Sequence, residues 1–581
     1  MNKLGLKYIL TVFNEFINMF NIFILKTKKK IFALLFIFSL IIIFLESYTL
    51  AIVYSASNSV LNESFNPENI FLSTVIDLLK IDGNNILFLS FIILLIFIFI
   101  KNILVIFLIF LKNNFFIKMH RNMSKKIFEK LISQNYDFFI SKNTSEFIAH
   151  ITNDLNIAMR GFEAIFNILI EFLLIVAILI YLTYIDFVVS LYFTIGSLIF
   201  FILYTLFTKK KILSLSNERL LLNHKIVQDL QQGFGNFREI IIYNCKKLFS
   251  DEINLKFKIF FSNLKITNIL QQITRVVIEQ VFIIFVVMMF IIINYFSTKS
   301  VIDILPLLAV YLFAFLKILP SLNKFTIEFQ QYLFGKLFIK KIDQIFNLEN
   351  EIAIQSTKKL NFEDKIEFNK VSFNFSNQNK KILDQISFKI KKNEKVGILG
   401  ETGSGKSTLL NLIMGFLHPN NGNIFIDNSN LKNNFLTWQK LIGYVPQSIY
   451  ILDDTLKKNI TFQSDDKLID FGLLEKSIEN SGLIDFLKKQ TNGYESILGE
   501  RGSKISGGEI LRIGLARAYY SKAKVFILDE FTSSLDIETE NKLLDIINNI
   551  KKTFVIVSHK QNSLKYCDRI LRLKNSKIVE E

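Results

Sequence analysis

Apolar residues run in long unbroken stretches as far as about residue 330, and in short ones after about residue 355. A helix needs about 20 consecutive apolar residues to span a bilayer core. Six segments meet that demand, near 31–54, 86–116, 161–184, 187–207, 272–296 and 302–325. The stretches 117–160 and 208–271 between them are long, whereas the turns around 183–186 and 297–301 are short. Helices that run well past the bilayer on one side account for that inequality. Ahead of the first span, Asn14, Glu15, Asn18 and Asn21 oppose Ile9, Phe13, Phe16, Phe20 and Phe23 at helical spacing. That predicts an amphipathic segment over 1–30 lying on the membrane surface. Asn66 and Pro67 make a helix cap and first turn. From there Leu72, Val75, Ile76 and Leu79 face away from Asn69, Ser73, Asp77 and Lys80, predicting a second amphipathic helix over 67–81. A transmembrane domain over 31–330, a linker over 331–360 and a soluble α/β domain over 361–581 complete the plan.

Charge orients this plan. Lys118, Arg121, Lys125, Lys126 and Lys130 follow the second span, and Lys209, Lys210 and Lys211 follow the fourth. The segment after the first span instead carries Glu63, Glu68, Asp77 and Asp82. The positive-inside rule then places both termini and the soluble domain in the cytoplasm. Hydrophobic residues make up 51% of the chain, with 61 Phe, which excludes a wholly soluble protein. A net charge of +17 is read as cytoplasmic loops facing anionic headgroups, with no nucleic-acid partner. Lys26, Lys28, Lys29 and Lys30 precede a long span without a small-residue cleavage site, so the span reads as a retained anchor. Cys245 and Cys567 fit no disulfide framework or metal spacing and read as reduced, structural thiols.

The soluble domain carries the chemistry. A buried strand, Val396-Gly397-Ile398-Leu399, leads into Gly400-Glu401-Thr402-Gly403-Ser404-Gly405-Lys406-Ser407-Thr408 and an apolar helix. This is the phosphate-binding loop in its strand–loop–helix setting: glycines turn backbone N–H groups toward phosphate and the helix N-terminus favours the anion. Lys406 would reach the β- and γ-phosphates of ATP, and Ser407 would hold Mg²⁺. A second buried strand, Val525-Phe526-Ile527-Leu528, ends in Asp529-Glu530. Asp529 suits Mg²⁺ and Glu530 suits the attacking water, since phosphoryl transfer depends on positioning and charge. A third strand over 554–557 delivers Ser558 and His559 to the same edge.

Ile505-Ser506-Gly507-Gly508-Glu509 resembles the LSGGQ signature of the ABC ATPase family, and the resemblance runs from about residue 365 to the end. It implies that Phe375 stacks on adenine and that Gln447, in Tyr444-Val445-Pro446-Gln447, is the lid glutamine that ligates Mg²⁺ and senses the membrane domain. It makes Ser533-Ser534-Leu535-Asp536 the D-loop and His559 the switch histidine at the γ-phosphate. Ile505 for Leu conserves volume. Glu509 replaces the usual Gln and is expected to point away from the anion, while Ser506, Gly507 and Gly508 bind it. In that family one domain's signature completes the other's ATP site, so one motif set implies a dimer, most simply a homodimer.

Six spans ahead of the ATPase resemble the exporter branch of ABC transporters, which implies coupling regions near 140–154 and 230–243. Ionisable residues inside spans normally face a cavity or a partner. Lys101, Arg275, Lys317 and Lys324 lie there, with Glu279 four residues after Arg275 and Glu171 as an acidic exception. A cationic cavity for an anionic cargo is one reading; snorkelling or pairing between helices is the other. With the outer helix at 67–81, these features resemble the PglK-type flippases of bacterial protein glycosylation. That resemblance implies an inner-membrane, multi-pass protein that moves a polyprenyl-diphosphate-linked oligosaccharide between leaflets. Exporters of another lipid, a drug or a peptide are the near alternative, and an ATP-gated channel or sensory membrane ATPase the distant one.

Overall fold

The computed structural model describes residues 29–61, 86–296, 301–348, 360–375, 381–532 and 535–580. The amphipathic helix expected over 67–81 lies outside them, as do residues 1–28 of the surface segment, residues 349–359 of the linker, and Ser533 and Ser534, while the first part of the expected linker is helical as far as Phe346. Internal contacts divide the chain into two units, Met1–Ser133 with Lys142–Glu349, and Gln134–Ser141 with Asn350–Glu581.

Along the first stretch of chain run α1 (Lys29–Leu61), α2 (Ile86–Ile132), the short α3 (Tyr136–Ser141) and α4 (Thr144–Ala149). A single π-helical turn, His150–Asp154, then leads into α5 (Leu155–Ile185). After it come α6 (Phe187–Gly235), α7 (Phe237–Ile242), α8 (Lys246–Phe296) and α9 (Val301–Phe346). With 51 residues, α8 is about 75 Å long at 1.5 Å per residue, against a bilayer core of roughly 30 Å. Among the described residues, four segments are long and apolar enough to cross a membrane: Lys30–Tyr54, Phe91–Ile132, Thr144–Ile185 and Ala309–Phe346.

Packing in this unit depends on close backbone approach as well as on apolar area. On α5, a Cβ at Gly161 would come within 3.0 Å of the Gly335 Cα on α9; one at Gly335 would come within 2.8 Å of the Gly161 Cα. Small residues admit such contact, which matters most where lipid tails remove the hydrophobic drive for helix association. By contrast Phe91, Leu95, Phe99, Ile106 and Phe110 on α2 are exposed in the single chain. An apolar face of that extent needs lipid or protein over it.

The second unit is built on two sheets. β1 (Lys365–Phe373), β2 (Leu383–Lys391), β4 (Asn421–Ile426) and β5 (Ser429–Asn430) form one, in the order β2-β1-β4-β5, with antiparallel pairing throughout. The other contains β3 (Lys395–Gly400), β6 (Ile442–Val445), β7 (Val525–Asp529), β8 (Thr553–Ser558), β9 (Arg569–Lys574) and β10 (Lys577–Glu580). Its order is β10-β9-β3-β8-β7-β6, parallel except for the β9–β10 pair. Parallel strands covered on both faces read as continuous apolar runs, which is why β3, β7 and β8 were visible in the sequence.

The remaining helices of this unit are α10 (Lys406–Ile413), α11 (Phe435–Gln439), α12 (Leu456–Thr461), α13 (Phe471–Asn480), α14 (Ile484–Lys489), α15 (Gly507–Tyr520) and α16 (Ile537–Asn548). One core holds α10 and the two sheets together around Trp438, whose indole N–H donates to the Ile413 carbonyl at 2.7 Å. A second core lies under α15 and α16, and a third joins α12 to α14 with α15. Cys567 is a free thiol; its sulfur packs against Gly397, and burial pushes it up to about 12, so it stays a protonated packing group.

Candidate functional site

The loop between β3 and α10 has the form that phosphate requires. Gly403 and Gly405 take left-handed φ values of 80° and 105°. A Cβ on Gly405 would press within 2.9 Å of Ile382, whereas one on Gly403 would meet nothing within 4 Å. The buried Lys406 donates to the carbonyls of Gly400 at 2.7 Å and Glu401 at 3.1 Å, so its ammonium spans the loop. Ser404 Oγ is buried without a hydrogen-bond partner, and Ser407 is exposed on the first turn of α10. A cradle of N–H groups with an orphaned hydroxyl and a spanning ammonium fits a polyphosphate.

The carboxyl ends of β6, β7 and β8 supply the other groups, as expected at the edge of a parallel sheet. Glu530 has a left-handed φ of 43° and its N–H donates to the Val557 carbonyl at 2.9 Å. That conformation is rare for a residue with a Cβ and clusters at functional sites. Glu530 accepts from Gln447 Nε2 at 2.9 Å, and it lies 3.6 Å from Lys406 Nζ and 3.9 Å from His559 Nδ1. Burial, and then the charge of Glu530, raises Asp529 above the usual carboxylate range. Tyr444 on β6 approaches Asp529 Oδ2 at 3.5 Å. Oxygen donors from Ser407, Asp529 and Gln447 suit Mg²⁺, which prefers oxygen and keeps several waters.

The structure thus brings Lys406, Gln447, Asp529, Glu530 and His559 together. It does not bring the signature to them. Ser506 and Gly507 are exposed at the start of α15, where Ser506 caps the helix. Glu509 folds back and accepts the Ser506 N–H at 2.8 Å, closing a capping box. Gln can make the same bond. Glu509→Gln is therefore expected to change stability by less than about 0.5 kcal/mol, with ATP hydrolysis within twofold of the parent, as chemical denaturation and phosphate release would show. Asp536 caps α16, and its hydrogen bonds from Thr539 hold the carboxyl below the usual range. Phe375 sits edge-on to Phe373, centroids 5.1 Å apart, at the end of the described strand segment.

Two arrangements were not read from the sequence. The first is Arg517, which donates to the carbonyls of Asn459 at 2.6 Å and Tyr450 at 2.9 Å and lies over the Phe462 ring at 4.7 Å. It ties α15, and so the signature, to α12; burial brings its guanidinium down to about 10. The second is α3, which belongs to this unit, with Tyr136 stacked on Phe416 at 5.1 Å between centroids. The segment grouped with the ATPase fold is Gln134–Ser141, so the region expected over 140–154 meets it only at its first two residues. The aromatic pair itself is invisible in a linear pattern.

Between the membrane helices, pairing consumes most of the cations assigned to a cavity. Lys101 on α2 and Lys317 on α9 meet Glu46 on α1, at 2.7 Å and 2.5 Å. Lys324 pairs with the buried Glu171 of α5, although the lysine is half exposed. Arg275 and Glu279 are both exposed on α8. The surplus of positive charge is thus smaller than the spans suggested, and Glu46, absent from the predicted set, is the hub. A lone carboxylate in the first span was the available signal.

Residues 383–533 match the family described as ABC transporter. The chain is 36% identical over 249 residues to ABC transporter B family member 6 of Dictyostelium discoideum, covering 39% of this chain and 36% of that one. It is 33% identical over 270 residues, 46% of either chain, to the ATP-dependent lipid A-core flippase of Wigglesworthia glossinidia brevipalpis. The chain spans less than half the length of these curated relatives. Among solved structures, that of a bacterial Atm1-family ABC exporter with ATP bound superposes over 95% of both chains with a TM-score of 0.79 at 17% identity, a likeness of fold. The C-terminal unit therefore contains an ABC-type ATP-binding domain, carried in a chain that has the fold of an exporter-type ABC transporter.

Proposed function

We propose that this chain is a half-transporter that works as a homodimer and uses ATP hydrolysis to move an anionic amphipathic molecule across a membrane. The observation that carries the reading is the divided site. Lys406, Gln447, Asp529, Glu530 and His559 converge, while Ser506 and Gly507 stand exposed at a helix start with room for a ligand. A second copy's signature completes such a site. Lys406 would then hold the β- and γ-phosphates, Ser407, Asp529 and the Gln447 amide oxygen would hold Mg²⁺, and Glu530, which Gln447 Nε2 orients, would accept the proton of the attacking water. Bound Mg²⁺ supplies neutralisation of the phosphate charge. Phe375 would stack on the adenine, and six spans would leave the ATPase and both termini on the cytoplasmic side of a bacterial inner membrane.

Coupling falls to short cytosolic helices. α3 stands among the ATPase contacts through Tyr136. α7 presents Phe237, Ile241 and Ile242, followed by Tyr243, all exposed, as a face for a second copy. Phe416→Ala is expected to abolish stimulation of ATP hydrolysis by cargo while the basal rate stays within twofold, as paired assays with and without cargo lipid would show.

For cargo, the reading is a polyprenyl-diphosphate-linked oligosaccharide. Relatives named as lipid A-core flippases support a lipid, and Lys101 with Lys317 against one Glu46, together with exposed Arg275, supports an anionic headgroup. The test replaces Glu46 by Gln, Lys101 and Lys317 by Met, and Arg275 by Gln together, so that no lone charge is left buried. Flipping of lipid-linked oligosaccharide in proteoliposomes should then fall at least tenfold with ATP binding intact. Unchanged flipping would reject the diphosphate and leave an exporter of another lipid, a drug or a peptide.

A further inference from the structure

The π-helical turn between α4 and α5 builds a group of side chains that neither nucleotide chemistry nor cargo charge uses. In that turn the Leu155 N–H donates to the His150 carbonyl, five residues back. π-Turns are rare, and they recur at functional sites. This one sets His150 and Asp154 on one face, against His224 from the C-terminal third of α6. His150 Nδ1 lies 2.7 Å, and His224 Nε2 2.8 Å, from the same oxygen, Asp154 Oδ2. The two rings stand edge to face, 5.0 Å apart. The three donor atoms lie within 4.8 Å of one another, among side chains 4%, 0% and 15% exposed for His150, Asp154 and His224.

A hydrogen-bonded trio explains only part of this. Both rings crowd one carboxylate oxygen, while the other, Asp154 Oδ1, is buried without any partner. Buried carboxylate oxygens are nearly always satisfied, and an exception calls for an ion, a water or a functional reason. We propose that His150, Asp154 and His224 bind one divalent transition-metal ion of the zinc class per chain. Two imidazoles and one carboxylate are the donor set such ions take, whereas Mg²⁺ and Ca²⁺ favour all-oxygen shells. A ring nitrogen that ligates the ion carries its proton on the ring's other nitrogen, which leaves a lone pair for the metal. Ligand bonds of about 2.0–2.1 Å need the donor atoms slightly farther apart than they stand, a change that side-chain rotation supplies. Asp154 Oδ1 is then available as a further donor.

The ion fastens the turn ahead of α5 to α6 across 70 residues of sequence. This goes beyond the transport reading and does not depend on it. The test uses the full chain in lipid nanodiscs, stripped with a chelator and free of nucleotide, titrated with Co²⁺ alone and then with Zn²⁺. One equivalent of Co²⁺ per chain should bind, with visible d–d absorption that one equivalent of Zn²⁺ erases. The paired substitution His150→Gln with His224→Gln should lose that equivalent and bind ATP within twofold of the parent. Competition between the unsubstituted chain and a chromophoric chelator gives a readout that needs no variant. The proposal is overturned if the unsubstituted chain takes no stoichiometric ion from that chelator, or if the substituted chain shows the same Co²⁺ spectrum.

Discussion

Glu530→Gln is expected to lower ATP hydrolysis by about 10²–10⁴-fold, the usual contribution of a positioned general base, and to leave ATP binding at least as tight. The geometry dictates both halves. Glu530 is held in its left-handed conformation by the bond from its N–H to Val557 and is oriented by Gln447, so its replacement stays in place. What disappears is the carboxylate that accepts a proton, together with one negative charge facing the γ-phosphate. Loss of that charge also relieves the repulsion that helps to raise Asp529, so Asp529 ionises more readily beside Mg²⁺. Single-turnover phosphate release and equilibrium nucleotide binding measure the two halves separately. Hydrolysis within tenfold of the parent would move the base to another group, His559 first. Vectorial transport that persists in the variant would favour gating by ATP over pumping.

The second large effect is structural. Glu46→Ala should destabilise the membrane unit by about 3–5 kcal/mol, because it leaves two ammonium groups from α2 and α9 without their shared carboxylate. Breaking a buried pair from one side is costly, whereas removing every partner is cheap, since no unpaired charge remains. The contrast supplies the control. Glu46→Ala combined with Lys101→Met and Lys317→Met should recover most of the loss, as thermal unfolding in nanodiscs would show. An unfolding temperature unchanged in the single variant would mean that water or lipid phosphate already satisfies both lysines.

The ATPase half was largely legible in the chain, and the membrane half much less so. Backbone-driven motifs carry their geometry with them. A buried strand followed by Gly403, Gly405 and Lys406 can turn in only a few ways, and left-handed glycines with an ammonium across the loop are what results. Asp529 and Glu530 at the end of a continuous apolar strand likewise fall at the sheet edge by parallel pairing. In the membrane half the ionisable residues were all visible, yet their partners were not. Glu46 lies far in sequence from both Lys101 and Lys317, and apolar periodicity says nothing about which charge meets which. Tyr136 against Phe416 escaped for the same reason: the two rings belong to one unit but to segments far apart in sequence.

By itself the sequence determined the long apolar segments, the phosphate-binding loop and the acidic strand end. Each of these follows from neighbours within a dozen residues, where chain connectivity leaves little choice. Only the tertiary structure decided that the lysines assigned to a cavity are mostly neutralised, that Gln134–Ser141 groups with the ATPase, and that His150, Asp154 and His224 converge. Those are contacts between residues tens to hundreds of positions apart, chosen by helix packing and by the cost of leaving a buried charge alone.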